Sequence, residues 1–136
     1  MTLTQLTLAA LTTIAAVSAG RVRRDTPPMG WNSYNTYDCT PTEQIVQQNA
    51  QGLVDTGLAE LGYRAVTIDC GWNGQYRDDD GKMQWNTTLF PSGGKAMGDF
   101  IHGLGLEFGM YSVAGLLQCG SQVIPGSLGT QFGNLW

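Results

Sequence analysis

An aspartate stands directly after one of the most apolar runs of the chain. Asp69 follows residues 65–68, and Gly71 and Trp72 come shortly after it. A carboxylate at the end of a buried strand is costly to desolvate unless it binds something, so Asp69 is a candidate for hydrogen-bonding a ligand. An aspartate that caps a helix or fixes a loop is the alternative, and position alone leaves both open.

Aromatic side chains gather near the same point of the chain. Sugars present apolar C–H faces as well as hydroxyls, so an aromatic ring can cover the first while carboxylates and amides bind the second. Core packing is the better explanation for any one ring. Four rings near neighbouring strand ends favour a carbohydrate site, and these are Trp31, Tyr34, Trp72 and Tyr111.

Two other polar features lack the residues that their chemistry would need. The acidic run at 78–80 precedes Gly81, but the residues after it supply none of the further ligands or the final glutamate of an EF-hand loop, so a solvated turn is expected. His102, the only histidine, lies near a predicted helix end, where a surface role that compensates the helix dipole is common. We predict neither a metal site nor a cofactor.

The elements that would position the candidate residues alternate between strand and helix. Thr40 is a candidate helix cap, with Pro41 at the first helical position and Glu43 completing a capping box; Gly57 offers a stop. Residues 71–94 are rich in Gly, Asp, Asn and Gln and are expected to form a long loop. The predicted elements are a strand at 29–34, a helix to about Thr56, a strand at 65–69, a helix from Lys95 to 102 or 103, and a strand at 106–112.

This order is typical of right-handed crossover units in a parallel sheet. An open doubly wound sheet and a closed eight-stranded barrel are the two candidates. The first strand-to-helix turn lacks a G-x-G-x-x-G run, so a nucleotide-binding open sheet has little support. The polar and aromatic residues cluster where the strands end, which is the catalytic face of a barrel. We therefore predict an α/β fold, the N-terminal part of a (β/α)8 TIM barrel with about three strands and two helices.

The beginning of the chain has the form of a secretory signal. An apolar run spans residues 6–17, and small residues precede a predicted cleavage after Ala19. The run is shorter than the roughly 20 residues of a membrane-spanning helix, so we predict no anchor and an extracellular location. Residues 20–25 form a linker whose Arg23-Arg24 pair is either a second processing site or simply solvated.

Charge and cysteine content agree with export. The chain has a net charge of −4, and removal of residues 1–24 would leave 4 basic and 11 acidic residues, which disfavours nucleic acid as a partner. Three cysteines suggest one disulfide and one unpaired thiol. Asn86 begins an N-glycosylation sequon in a polar, turn-rich stretch.

Several short motifs, taken in order, resemble glycoside hydrolase family 27, in particular its fungal secreted α-galactosidases. Any one of them is weak, but their order and spacing together are specific. The resemblance covers residues 26 to about 128. Its main motifs are PMGWNSY at 28–34, GYR at 62–64, TIDCGW at 67–72 and FGMY at 108–111.

The resemblance implies a retaining hydrolase that removes terminal α-linked galactose from oligosaccharides or galactomannan. Tyr34 stands where the family usually has a sugar-packing tryptophan, Asp69 matches an aspartate that binds galactose hydroxyls, and Tyr111 matches a tyrosine of the same pocket. Many relatives have a second aspartate at the position of Cys70. The implied disulfide joins Cys39 to Cys70, and the family partner of Cys119 is missing, which leaves Cys119 unpaired.

The resemblance also implies that this chain lacks the catalytic carboxylates. The family's nucleophile lies on the fourth strand and its acid/base aspartate on the sixth, whereas residues 112–136 contain no Asp or Glu. We expect no catalytic residue in the chain and an aberrant end at 129–136. The alternatives are a non-catalytic secreted carbohydrate-binding protein, or the α-N-acetylgalactosaminidase or β-L-arabinopyranosidase activities of the same scaffold.

A final expectation concerns the isolated chain. Three strands of a closed barrel would leave two edges free. The inner face, with Val66, Ile68, Phe108 and Met110 as its candidate residues, would lack opposing strands. The sequence therefore predicts an insoluble or molten chain.

Overall fold

The computed structural model describes residues 27–118, 121 and 124–127 of the 136-residue chain. The predicted signal segment at 1–19, the linker at 20–25, Cys119 and the predicted aberrant end at 129–136 lie outside the described residues. Among the described residues, none of the helices combines the length and the hydropathy that spanning a bilayer requires.

The centre of the fold is a parallel sheet of three strands. In chain order the elements are β1 (Gly30–Asn32), α1 (Tyr34–Tyr37), α2 (Glu43–Asp55), β2 (Ala65–Ile68), β3 (Asn73–Arg77), β4 (Met83–Trp85), α3 (Gly93–Gly103) and β5 (Glu107–Met110). The sheet order is β1-β2-β5, with β2 in the middle and parallel to both neighbours. The predicted alternation of strand and helix is thus present, with α2 and α3 as the crossover helices.

One face of this sheet packs against both helices. Val46, Ala50 and Leu53 of α2 are buried, as are Met97 and Ile101 of α3. They form a single core with the apolar residues of β2 and of the connecting segments, among them Val66, Ile68, Trp72, Phe90 and Leu106. This burial supplies the main apolar driving force of the described part.

The other face of the sheet is small and polar, which corrects the prediction for Val66, Ile68, Phe108 and Met110. Val66 and Ile68 are fully buried on the helix side, and the parallel register puts Phe108 and Met110 on that same side. The open face is formed by the alternate positions of the three strands: Gly30, Asn32, Ala65, Thr67, Glu107 and Gly109. The prediction was wrong because a continuous apolar run does not show which of its two faces the helices cover.

The start of α2 also differs from the prediction. The capping residue is Thr42, whose hydroxyl accepts a hydrogen bond from Ile45 N at 3.3 Å, whereas the Thr40 hydroxyl donates to Tyr37 O. Glu43 does not complete a capping box; its carboxylate accepts hydrogen bonds from the backbone N–H and the hydroxyl of Ser92, at 2.9 and 2.7 Å. Glu43 therefore ties the beginning of α2 to the residue preceding α3.

The stretch predicted as one long loop contains a β-hairpin. β3 and β4 pair antiparallel around the acidic run at 78–80. Asp78 Oδ1 accepts a hydrogen bond from Lys82 N at 2.8 Å, which closes the turn. The expected solvated turn is present, but it connects two strands, and α3 begins at Gly93 rather than at Lys95.

Candidate functional site

A cavity of about 790 Å³ opens at the carboxyl ends of the three parallel strands. Tyr34 after β1, Asp69 after β2 and Tyr111 after β5 all line this cavity. The structure thus brings the three sequence-predicted binding residues together. The residues that line the cavity are Tyr34, Asp38, Cys39, Thr40, Asp69, Cys70, Tyr111, Gln118, Ser121 and Ile124.

Asp69 is held in a fixed orientation at the mouth of β2. Its Oδ2 accepts a hydrogen bond from Asn32 Nδ2 at 3.0 Å, and its Oδ1 accepts one from Cys70 N at 2.9 Å. Its own backbone N–H donates to the Ser33 hydroxyl at 2.9 Å. An ionised carboxylate has about four acceptor positions, so roughly two remain for a ligand. The side chain is half-buried and can therefore contact a molecule in the cavity.

Tyr34 reaches the cavity from a helical turn, whereas the sequence had predicted that it ends a strand. β1 ends at Asn32, whose Oδ1 accepts a hydrogen bond from Tyr34 N at 2.8 Å, and Tyr34 then opens the single turn α1. Such a side-chain bond offers the backbone an alternative to the strand ladder. Tyr34 is 49% exposed and lines the cavity, so it is accessible to a ligand there.

The backbone of Tyr111 is held by a hydrogen bond from a buried tryptophan. The indole N–H of Trp72 donates to Tyr111 O at 2.7 Å, and Tyr111 N donates to Ile68 O at 2.9 Å. Trp72 itself is only 5% exposed and packs against Trp85, with ring centroids 5.2 Å apart. It lies in the core and does not line the cavity.

Two of the four aromatic residues grouped from the sequence are therefore core residues. Trp72 is buried, and Trp31 packs against the core and against Tyr37, with ring centroids 6.2 Å apart. Only Tyr34 and Tyr111 face the cavity. The sequence interpretation failed for the tryptophans because proximity to a strand end does not determine the side of the sheet on which a ring lies.

A disulfide joins the segment after α1 to the end of β2. Cys39 and Cys70 are bonded, with Cα atoms 4.6 Å apart, which is the pairing that the resemblance implied. Gly71 makes this approach feasible: its φ is +98°, and a Cβ there would overlap the Cys39 carbonyl. The disulfide therefore forms one wall of the cavity, directly beside Asp69.

Asp38 lies close to the disulfide, but these groups do not form a metal site. A carboxylate oxygen of Asp38 and the sulfur atoms of Cys39 and Cys70 lie within 4.8 Å of one another. Metals bind cysteine as the thiolate, and both sulfurs are engaged in the disulfide. Asp38 alone is left as a ligand in this cluster.

The sequence analysis did not identify the polar residues of a loop that closes the cavity after β5. The described parts of this loop, residues 112–118, 121 and 124–127, double back on themselves: Gln118 N donates to Ile124 O at 2.9 Å, and Ser127 N donates to Val113 O at 2.9 Å. Gln118 and Ser121 thereby come to line the cavity. No periodicity or motif in the sequence indicated this return.

The β3–β4 hairpin holds the same loop in place. Arg77 of β3 donates to Gly126 O at 2.7 Å, and Asn73 of β3 receives a hydrogen bond on its Oδ1 from Gln118 Nε2 at 2.7 Å. Asn73 and Gln118 are 1% and 2% exposed, so this amide pair is sealed from solvent. The hairpin is therefore part of the support of the cavity.

Asn86, the predicted glycosylation residue, lies between β4 and α3. Its Oδ1 accepts hydrogen bonds from Thr88 N at 3.1 Å and Leu89 N at 3.3 Å, and its Nδ2 has no hydrogen-bond partner among the described residues. Thr87 and Thr88 are exposed. The nitrogen that would carry a glycan is thus unengaged.

Comparison with known proteins relates this chain to glycosidases. The family described as Alpha galactosidase A matches residues 26–132. The "Probable alpha-galactosidase D" of Aspergillus niger is 62% identical over 96 residues, which are 71% of this chain and 14% of the relative. The "Alpha-galactosidase D" of Emericella nidulans is 60% identical over 104 residues, 76% of this chain and 16% of the relative. The chain thus spans only about a sixth of the length of these relatives.

Solved structures that resemble this chain are also glycosidases. The alpha-galactosidase I of Mortierella vinacea has a TM-score of 0.71 and 42% identity, over 76% of this chain and 25% of its own. An alpha-galactosidase of Saccharomyces cerevisiae, solved with raffinose, has a TM-score of 0.71 and 38% identity, over 76% of this chain and 22% of its own. A β-L-arabinopyranosidase of Geobacillus stearothermophilus reaches 0.57 and 34%, over 62% of this chain and 23% of its own.

Proposed function

Because this chain belongs to the alpha galactosidase A family, glycoside hydrolase family 27, we propose that its cavity binds the terminal galactose of an α-galactoside. The three parallel strands are then the first three of the family's (β/α)8 barrel, whose strand ends form the active face. The substrate class is oligosaccharides or galactomannan with terminal α-linked galactose.

The position of Asp69 is the observation that carries this proposal. Its two oxygens each accept one hydrogen bond from the protein, from Asn32 and from Cys70 N, which leaves acceptor capacity directed at the cavity. Galactose differs from glucose in having an axial 4-hydroxyl. A carboxylate fixed by hydrogen bonds can select that hydroxyl, because a bound sugar that lacks it would cover the carboxylate and leave one of its acceptor positions unpaired.

The two tyrosines supply the apolar part of the same site. Tyr34, in the helical turn after β1, and Tyr111, directly after β5, approach the cavity on either side of β2, which carries Asp69 at its end. Aromatic rings next to a carboxylate match the mixed apolar and polar surface of a sugar. Tyr34 would present a smaller ring than the tryptophan usual in the family, so we expect it to contribute less apolar contact.

Hydrolysis needs more than this chain contains. A retaining mechanism uses two carboxyl groups about 5 to 5.5 Å apart, one as nucleophile and one as acid and then base. Residues 112–136 contain no Asp or Glu, and the resemblance assigns both catalytic groups to later strands. We therefore propose that the chain by itself binds galactosides without cleaving them.

The related activities on this scaffold receive less support. The Aspergillus niger and Emericella nidulans alpha-galactosidases are 62% and 60% identical to this chain, whereas the β-L-arabinopyranosidase is 34% identical. The other alternative is a secreted carbohydrate-binding protein without catalysis. It likewise predicts that this chain binds galactosides and does not hydrolyse them.

We also propose that the protein is exported, with residues 1–19 as its signal segment and Asn86 as a glycosylated residue. The apolar run at 6–17 and the disulfide between Cys39 and Cys70 support export, because disulfides persist in oxidising compartments. N-terminal sequencing of protein secreted by a fungal host should begin after Ala19, or after Arg24 if the dibasic pair is processed. Retention of Met1 in the secreted protein would refute the signal segment.

The binding proposal is tested with a pair of epimeric probes. Methyl α-D-galactopyranoside and methyl α-D-glucopyranoside are titrated into the full chain and followed by NMR, together with an aryl α-galactoside hydrolysis assay. We expect binding of the galactoside, at least about tenfold weaker binding of the glucoside because of the unpaired acceptor, and no hydrolysis.

Two aspartate variants provide the control. Asp69→Asn should abolish the preference for galactose, whereas Asp79→Asn, at an exposed residue of the β3–β4 turn, should leave it unchanged. Equal binding of the two epimers by the unchanged chain would contradict the proposal. Turnover of the aryl galactoside would show that the chain does contain a nucleophile.

A further inference from the structure

Asp38 is a second carboxylate in the wall of the cavity. It lines the cavity together with Asp69, and it is exposed. One of its carboxylate oxygens lies within 4.8 Å of the sulfur atoms of Cys39 and Cys70, both of which also line the cavity. No hydrogen bond to this carboxylate occurs among the described residues, so its acceptor positions are open to a ligand.

The disulfide holds the two aspartates of the cavity near each other. Cys39 directly follows Asp38, and Cys70 directly follows Asp69. The Cα atoms of the two cysteines are 4.6 Å apart, and consecutive Cα atoms are about 3.8 Å apart, so the Cα atoms of the two aspartates are separated by at most about 12 Å. Both side chains can therefore contact the same bound monosaccharide.

The backbone of Asp38 has a conformation that usually requires glycine. Its φ is +51° and its ψ is −133°, and among the described residues no other residue except glycine has a positive φ. These angles are typical of the first central position of a type II′ turn, which Thr40 N closes by donating to Tyr37 O at 3.0 Å. Glycine would avoid the strain but would not supply a carboxylate, and strained residues of this kind cluster at ligand sites.

We propose that the Asp38 carboxylate is a second specificity-determining acceptor, which binds a hydroxyl of the sugar other than the one that Asp69 selects. Its place in the cavity wall gives a ligand access to it, and a sugar hydroxyl is the donor that the proposed ligand brings. This inference rests on the proposed function. The disulfide then also sets the spacing of the two carboxylates that contact the sugar.

The test removes the carboxylate without adding backbone strain. Asp38→Gly deletes the acceptor at a position whose φ favours glycine, and Asp79→Gly makes the same change at an exposed residue of the β3–β4 turn, outside the cavity. Methyl α-D-galactopyranoside is titrated into the unchanged chain and both variants and followed by NMR. We expect Asp38→Gly to bind it about tenfold more weakly and Asp79→Gly to bind it unchanged. Urea unfolding should show that Asp38→Gly is at least as stable as the unchanged chain, because the substitution relieves strain.

Deoxygenated sugars separate a direct contact from a structural role. The 2-, 3-, 4- and 6-deoxy analogues of the galactoside are titrated into the unchanged chain, Asp38→Gly and Asp69→Asn. If Asp38 contacts one hydroxyl, the tenfold loss in Asp38→Gly disappears for the analogue that lacks this hydroxyl and persists for the others, and a different analogue removes the effect of Asp69→Asn. An equal loss across all analogues, no loss, or the same analogue for both aspartates overturns the inference while leaving galactose binding intact. Failure of the unchanged chain to bind the parent galactoside overturns the proposed function and this inference together.

A measurement without any substitution covers the case in which Asp38→Gly does not fold. The side-chain carboxyl ¹³C resonance of Asp38 is followed in the unchanged chain during the same titrations. Acceptance of a hydrogen bond should shift it on addition of the galactoside, and one of the four deoxy analogues should bind without producing this shift. A resonance that stays in place while the galactoside binds refutes the contact.

Discussion

The disulfide between Cys39 and Cys70 is the covalent link between the two segments that form the cavity wall beside Asp69, and its removal has a calculable effect. The bond closes a loop with a sequence separation of 31. The chain-entropy relation for a loop of this size gives about 3.7 kcal/mol of stabilisation at 25 °C. For a domain of this size, such a loss corresponds to a fall in Tm of roughly 15 to 30 °C.

The experiment replaces both cysteines in a background that cannot form other disulfides. Cys119→Ser serves as the reference, and Cys39→Ser with Cys70→Ser is added to it. Urea unfolding, followed by tryptophan fluorescence, gives the free energy of unfolding of each protein. Treatment of the reference protein with a reductant should reproduce the effect of the double substitution, because both remove the same bond.

The same variant should also bind galactosides more weakly, even under conditions where it remains folded. Cys39 and Cys70 line the cavity, and Cys70 N is one of the two hydrogen-bond donors that orient Asp69. Without the bond the segment at Cys39 is released from the end of β2, so we expect weaker binding even at temperatures where the variant remains folded. A change in unfolding free energy below about 1 kcal/mol would refute the entropy argument.

Three further substitutions test individual contacts. Trp72→Phe should destabilise the chain by about 1–3 kcal/mol more than Trp85→Phe, because only the first also removes a buried indole hydrogen bond; equal unfolding free energies would contradict this. Gly30→Ala should lower the free energy of unfolding by about 3 kcal/mol or more, since its Cβ would overlap a backbone carbonyl of β2. Gly52→Ala, which has open space around it in α2, should raise it by roughly 0.5–1 kcal/mol in the same urea assay. Asn86→Gln should remove one glycan from the secreted protein, visible as a faster band on a denaturing gel, and an unchanged band would exclude this residue as a glycan site.

The elements that the sequence predicted well are those with strong apolar periodicity. The helix over Glu43–Asp55 and the strand over Ala65–Ile68 have regular apolar positions bounded by turn residues, and both are present. The hairpin at 73–85 was missed because β3 is mostly polar and β4, with only three residues, is too short for its alternation to be recognised. Its stability depends on contacts with the loop after β5, which the local sequence does not encode.

The candidate site shows the same division between local and tertiary information. Tyr34, Asp69 and Tyr111 lie at or next to the carboxyl ends of predicted strands, so a parallel arrangement was enough to bring them together. Gln118 lies seven positions beyond Tyr111, in a loop whose path is set by Asn73 and Arg77 of the hairpin. A prediction that placed only loop at 71–94 had no means of finding it.

The two faces of the sheet change the expectation for the isolated chain. Val66 and Ile68 are covered by the helices, and the open face carries small and polar residues such as Thr67 and Gly109, so this face offers little apolar surface to further barrel strands. On the helix side, Met110 at the end of β5 is 48% exposed. In the parallel sheet of the described part, the outer edges of β1 and β5 remain unpaired. We therefore expect concentration-dependent association through strand edges around an ordered core, rather than a molten chain. In dilute solution, amide hydrogen exchange should protect the central strand β2 more than β1 or β5. Rapid exchange throughout β2 at low concentration would show instead that the core does not form without the rest of the barrel.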